Sequence, residues 1–150
     1  MRLLKLAGLA ALFTVATFSL PAAAQSPDGI HRLALQISDA DPGKMKSVLD
    51  IAANVSRHYS GIGEEVEIEI VAFGAGVEML RADTSPVKTR LASFMQSMVN
   101  VTFQACGNTL DTLERNYGKR PPLIAGTGVV QTGVARLIEL NEQGWTIVRP

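Results

Sequence analysis

One cysteine stands in a chain of 150 residues, within the run Val101-Thr102-Phe103-Gln104-Ala105-Cys106-Gly107-Asn108-Thr109. A thiol does chemistry as its thiolate, so what matters is whether its surroundings favour the anion. Val101, Phe103 and Ala105 alternate with Thr102 and Gln104, the period of a short strand that ends at Cys106. Gly107 permits a tight exit, and Asn108 or Thr109 is a good N-cap. Leu110, Leu113 and Tyr117 then recur at helical spacing until Gly118 closes the segment. Cys106 is therefore expected at a helix N-terminus, where free N–H groups and the helix dipole favour an anion by up to ~2 kcal/mol. That draws an ordinary thiol down toward neutrality. No Lys or Arg follows within a few residues, and Asp111 pushes weakly the other way, so the expected activation is moderate.

Other chemistries have no residues to carry them. A single cysteine excludes an internal disulfide and a Cys-x-x-Cys redox pair. The two histidines, His31 and His58, have no metal-ligand spacing; they read as a strand-start residue and a solvent-facing helix residue, and no metal site or cofactor is expected. Hydrolysis, phosphoryl transfer and hydride transfer lack a supporting constellation.

The elements that must position Cys106 begin after an apolar leader. Arg2 and Lys5 precede an apolar run from Leu6 to Leu20, followed by Pro21-Ala22-Ala23-Ala24-Gln25, the pattern of a secretory signal peptide over residues 1–24 with cleavage after Ala24. The run is shorter than the ~20 apolar residues of a spanning helix, so no membrane anchor is expected after cleavage, and the location is periplasmic or secreted. Residues 25–29 read as a flexible lead-in and 30–150 as a single domain. The leader holds two of the fourteen basic residues and no acidic one, so the remainder has a formal charge of −2. With no basic run and few aromatic residues, nucleic acid is not an expected partner.

Strand and helix patterns alternate from there. Ile30–Ile37 reads as a strand, and Asp41 and Pro42 announce a helix with an apolar stripe of Met45, Val48, Leu49, Ala52, Val55 and Tyr59, ended by Gly61. Val66–Phe73 is a second strand, alternating and then continuously apolar, with its start near an edge or rim of the sheet. It exits through Gly74-Ala75-Gly76 into a helical turn over 77–81. Ser85-Pro86 signals the next helix, with Val87, Leu91, Phe94, Met95 and Met98 facing the core. After the cysteine strand and its helix come a strand over Thr127–Gln131 and a helix opened by Thr132-Gly133, with Val134, Leu137, Ile138 and Leu140 on one face. Gly144 stops that helix, and a last strand spans Trp145–Val148. This alternation is that of an α/β fold with a mainly parallel sheet between helical layers. In such sheets the loops after the strands share one rim, where ligands bind. By that rule Ser38–Gly43, Gly74–Gly76, Cys106–Thr109 and Thr132-Gly133 lie together.

The run Ala105-Cys106-Gly107-Asn108-Thr109 after a strand, Gln131-Thr132-Gly133-Val134 before a helix, and Gly144-Trp145-Thr146-Ile147-Val148-Arg149-Pro150 at the end resemble the DsrE/DsrF-like family. The resemblance implies a five-stranded, three-layer α/β/α domain that assembles as a homotrimer or hexamer. It also implies sulfur chemistry, since better-known members carry sulfur as a cysteine persulfide, and the cysteine of their motif corresponds to Cys106. Those relay proteins act in the cytoplasm with dedicated partners, whereas this chain reads as exported, so the resemblance supplies neither sulfur donor nor acceptor.

The leading expectation is a periplasmic sulfane-sulfur carrier with Cys106 as the reacting residue. The N–H groups of Gly107, Asn108 and Thr109 would stabilise the anion, and the loops at Gly74 and Gly133 would shape the pocket. The alternative is a non-catalytic oligomeric module that binds a small ligand or protein at the same rim and tolerates Cys106→Ser. A peroxide-reactive thiol ranks third, since it needs a resolving thiol from elsewhere.

Overall fold

The computed structural model describes residues 28–150. The expected signal peptide, its cleavage site and residues 25–27 of the lead-in lie outside them. The protein is an α/β fold built on a five-stranded, all-parallel sheet with helices on both faces. The strands are β1 (His31–Ile37), β2 (Val66–Ala72), β3 (Val101–Cys106), β4 (Thr127–Val130) and β5 (Thr146–Val148), in the spatial order β4-β3-β2-β1-β5. The helices are α1 (Pro42–Gly61), α2 (Lys88–Ser97), α3 (Gly107–Tyr117) and α4 (Gly133–Glu142), and a 3-10 segment spans Gly74–Leu80.

Alternation along each strand sorts the side chains into two cores. Leu33, Leu35, Ile68, Ile70, Phe103 and their neighbours face α1, α2, α3 and the 3-10 segment. Phe103 is closed from above by Phe94 of α2, the rings meeting edge to face at 6.2 Å, the arrangement their quadrupoles favour. On the other face, Ala34 and Val71 pack against Leu137 and Leu140 of α4, with Trp145 and Ile147 at the margin.

Helix α1 forms as its caps and stripe dictate. Asp41 accepts a hydrogen bond from the Lys44 N–H at 2.8 Å, Pro42 takes the first turn, and Met45, Val48, Leu49 and Ala52 are buried. Past Gly61 the left-handed residue is Gly63, with φ 76°. Three expectations need correction, and that for the start of β2 holds in part. Helix α2 begins at Lys88, not directly after Ser85: the Ser85 hydroxyl donates to the Met79 carbonyl at 2.6 Å and its oxygen accepts from the Val87 N–H only at 3.4 Å, so a turn precedes the helix. Strand β2 is central in the sheet; only its first carboxylate, Glu67, is exposed at the rim, and Glu69 is buried. Tyr117 is exposed at the end of α3, and Val134 and Ile138 lie half-exposed on α4, because contact with the sheet is made by Leu137 and Leu140 alone among the four apolar residues of that face. His31 opens its strand as expected, stacking on Tyr59 at 3.9 Å and meeting Glu64 at 2.6 Å.

Among the described residues no helix is long and apolar enough to cross a membrane, and no group of three or more His, Cys, Asp or Glu is placed to hold a metal.

Candidate functional site around Cys106

Strand β3 runs into α3 without a loop. Cys106 itself is the N-cap, in extended backbone geometry (φ −71°, ψ 115°), and Gly107 is the first helical residue. This places the helix start ahead of the expected Asn108 or Thr109 cap. Those two residues therefore sit in the first turn, where their N–H groups have no intrahelical acceptor. Gly107 packs instead of lining a pocket: a Cβ there would lie 3.3 Å from the Gln131 Cα and the Val130 carbonyl oxygen.

A second helix N-terminus closes on the same sulfur. The N–H of Gly133, first residue of α4, donates to Cys106 Sγ at 3.3 Å. That approach favours glycine, since a Cβ at position 133 would stand 3.0 Å from the Phe73 Cβ and 3.3 Å from the Cys106 Cβ, and both would have to give by a few tenths of an ångström. On the other side, the Gly74 N–H donates to Thr109 Oγ1 at 3.0 Å. With a lone pair of that oxygen engaged, the Thr109 proton is free to point at the sulfur. Cys106, Gly107, Asn108, Thr109, Gly74 and Gly133 are thus brought together on one rim, at the C-terminal ends of β2, β3 and β4.

Burial pushes the Cys106 thiol up, but the Thr109 hydroxyl, the Gly133 N–H and the Thr109 backbone N–H outweigh it and hold the thiol below its ordinary pKa. The residue is only 5% exposed, so the same packing that supplies the donors also shields the sulfur from solvent. Asp111, the acid expected to oppose activation, is paired with Arg120 from the loop beyond α3, which also meets Glu114. Its charge is largely answered locally.

Sequence reasoning passed over the brace that holds the two helix ends in place. Asn108 donates from Nδ2 to Thr132 Oγ1 at 3.0 Å and accepts from Gln131 Nε2 at 2.6 Å, while its backbone N–H donates to the Gln131 carbonyl at 2.9 Å. The Asn108 side chain is therefore occupied by the fold. The pair Glu69–Arg136 was likewise unforeseen: 67 positions apart, they form a two-pronged ion pair at 2.8 Å per prong beneath α4.

Concavities lie elsewhere on the protein. One of about 1050 Å³ opens at the opposite end of the strands, between Arg57, Glu65, Asn100 and Trp145. Another of about 410 Å³ lies between His31, His58, Tyr59 and Thr146. Neither is lined by Cys106. The chemistry at the rim rests on two converging helix ends, with the sulfur just under the surface.

Fold and rim together define a parallel α/β protein with a lone cysteine between two helix N-termini. The chain is similar to the solved structure of MTH1491, a protein of unknown function from Methanobacterium thermoautotrophicum, with 30% sequence identity and a TM-score of 0.63 over 80% of this chain and 99% of that one. At that identity and coverage, this chain belongs to the same family as MTH1491. No family model matches the chain, and no curated protein matches it.

Proposed function

We propose that this protein is a DsrE-like sulfane-sulfur carrier of the bacterial periplasm, with Cys106 as the residue that takes up the sulfur. The observation that carries the reading is the convergence of donors on one sulfur atom: the Gly133 N–H at 3.3 Å from α4 and the first-turn donors of α3. Such a cradle favours a thiolate before reaction and a persulfide anion after it. The resemblance of Ala105–Thr109 to the DsrE/DsrF-like motif supports the same chemistry. In the uptake step the Cys106 thiolate attacks the outer sulfur of a persulfide donor RS–SH. A Cys106 S–S bond forms, the donor's S–S bond breaks, and RS⁻ departs. The transferred sulfur keeps its oxidation state and its proton, so no external oxidant or reductant is consumed. Delivery to an acceptor thiolate reverses these bond changes.

A second reading rests on the 5% exposure of Cys106: a non-catalytic binding module in which the thiol is core packing. Intact mass separates the two. Protein recovered from the periplasm is weighed before and after exposure to glutathione persulfide, beside Cys106→Ser. A chain starting at Gln25 that gains whole sulfur atoms, removable by dithiothreitol and absent from the variant, is the expected result. A cysteine that stays unmodified while the protein is folded overturns the carrier reading.

A further inference from the structure

The linker between β4 and α4 lies directly against the sulfur of Cys106. Sγ stands 3.3 Å from the Gly133 nitrogen and 3.8 Å from the Gln131 carbonyl oxygen, both at contact distance. A new S–S bond is about 2.05 Å long, so a second sulfur finds no room on that side while the linker stays in place. Cys106 as a whole is buried, so some wall of the site must move before a reacting sulfur can be seated.

That linker is the wall with the fewest ties. Its residues Gln131 and Thr132 are exposed, and they follow Val130, the last residue of the edge strand β4 to pair with β3. Segments with exposed backbone and little buried apolar contact open locally at the least cost. Asn108 holds this one three times over. Its N–H donates to the Gln131 carbonyl at 2.9 Å, its Nδ2 donates to Thr132 Oγ1 at 3.0 Å, and its Oδ1 accepts from Gln131 Nε2 at 2.6 Å. Asn108 itself stands on the first turn of α3, which Leu110 anchors in the core.

We infer that Asn108 is a positioning residue that latches the Gln131–Gly133 linker over Cys106, so that reagents reach the sulfur as the latch opens and small ones are admitted ahead of bulky ones. That the admitted compounds are sulfane-sulfur donors rests on the carrier reading; the latch itself does not. Closed, the linker supplies the Gly133 N–H to the sulfur; open, it gives up that bond and exposes it.

Methyl and benzyl methanethiosulfonate share a leaving group and differ in size. With each, the Cys106 thiolate attacks the sulfenyl sulfur, an S–S bond forms at Cys106, the S–S bond of the reagent breaks and methanesulfinate departs. Rates are compared at the alkaline plateau, where the thiol is ionised in every variant. The parent protein is expected to favour the methyl reagent by more than free cysteine does. Asn108→Ala removes both side-chain bonds and keeps the N–H; it is expected to raise the benzyl rate roughly tenfold and to bring the ratio toward that of free cysteine. Hydrogen exchange is expected to show the Gly133 amide losing protection in this variant while the β2 amides keep theirs. Thr132→Val, on the linker side, gives the same reading should Asn108→Ala fail to fold. A parent with the ratio of free cysteine, variants that keep the parent's ratio, or β2 amides that open together with Gly133 overturns the proposal. Sulfur gained from glutathione persulfide without size selection sinks the latch alone, and size selection without sulfur gain sinks the carrier reading alone.

Discussion

Gly133 and Cys106 lie 27 positions apart in the chain, yet the amide of the first donates to the sulfur of the second at 3.3 Å. That contact joins the start of α4 to the start of α3, and the thiol's behaviour should follow from it.

The first consequence is a pH profile. Because the surrounding donors outweigh burial, the Cys106 thiol sits below its ordinary pKa. The rate of alkylation by iodoacetamide should therefore reach half its plateau below the ~8.5 of a free cysteine. Linkage fixes the sign for stability. A lowered pKa means that the unfolded chain binds the extra proton, so stability rises with pH between the folded and unfolded values. That contribution is lost as pH falls through the folded value. Urea titrations over this window should show the rise in the parent protein and not in Cys106→Ser.

Thr109→Val tests the hydroxyl separately. It removes the side-chain donor to the sulfur and leaves the Gly74 N–H without its acceptor. The alkylation midpoint should move up, and stability should fall by about 1 kcal/mol, the usual cost of one lost hydrogen bond. A midpoint unchanged in a folded variant would show that Thr109 plays no part in holding the thiolate.

Close approach should make two glycines intolerant. A Cβ at Gly76 would stand 2.2 Å from the Ile37 carbonyl oxygen, a backbone atom that cannot rotate aside. At Gly133 the obstacle is the Phe73 Cβ at 3.0 Å. Gly133→Ala is expected to cost about 1–3 kcal/mol, and Gly76→Ala more, both read from denaturant midpoints. Gly133→Ala should also raise the alkylation midpoint, since α4 must move off the sulfur.

Arg136→Met leaves the Glu69 carboxylate, only 5% exposed, without its partner. Removing one member of a buried pair costs roughly 3 kcal/mol, here at the low end because Arg136 is itself a quarter exposed. The double variant Glu69→Leu/Arg136→Met should regain most of that loss. Thermal unfolding of the three variants beside the parent supplies the comparison.

Much of the architecture was legible in the residues because local signals agreed with the global pattern. Asp41-Pro42 opens α1, Gly118 closes α3 in the left-handed region at φ 72°, and the continuous apolar run of β2 marks a buried parallel strand. The rim rule correctly gathered loops from four parts of the chain. The departures share one cause, namely tertiary partners that no local pattern encodes. Ser85 has the type of a cap, but its hydroxyl bonds the Met79 carbonyl closely and the Val87 N–H only at 3.4 Å, and the helix starts later. Val-Glu-Ile-Glu has the alternation of a wet face, but Arg136 covers Glu69 from α4. Val134 and Ile138 share the apolar half of α4 with Leu137, and only the sheet beneath decides which of them it meets.

The position of β1, flanked by β2 on one side and β5 on the other, sets the order in which the molecule can assemble. Leu33, Ala34 and Leu35 pair with Thr146, Ile147 and Val148, so closing the sheet joins segments more than a hundred residues apart in the chain. A loop of that length costs several times RT in entropy before any contact repays it, and parallel topologies of this kind fold slowly, over roughly milliseconds to seconds. Until the final segment arrives, one edge of β1 stays open. A chain made from its N-terminus cannot complete this sheet until Thr146–Val148 has emerged, and pairing with that strand is what closes the open edge of β1.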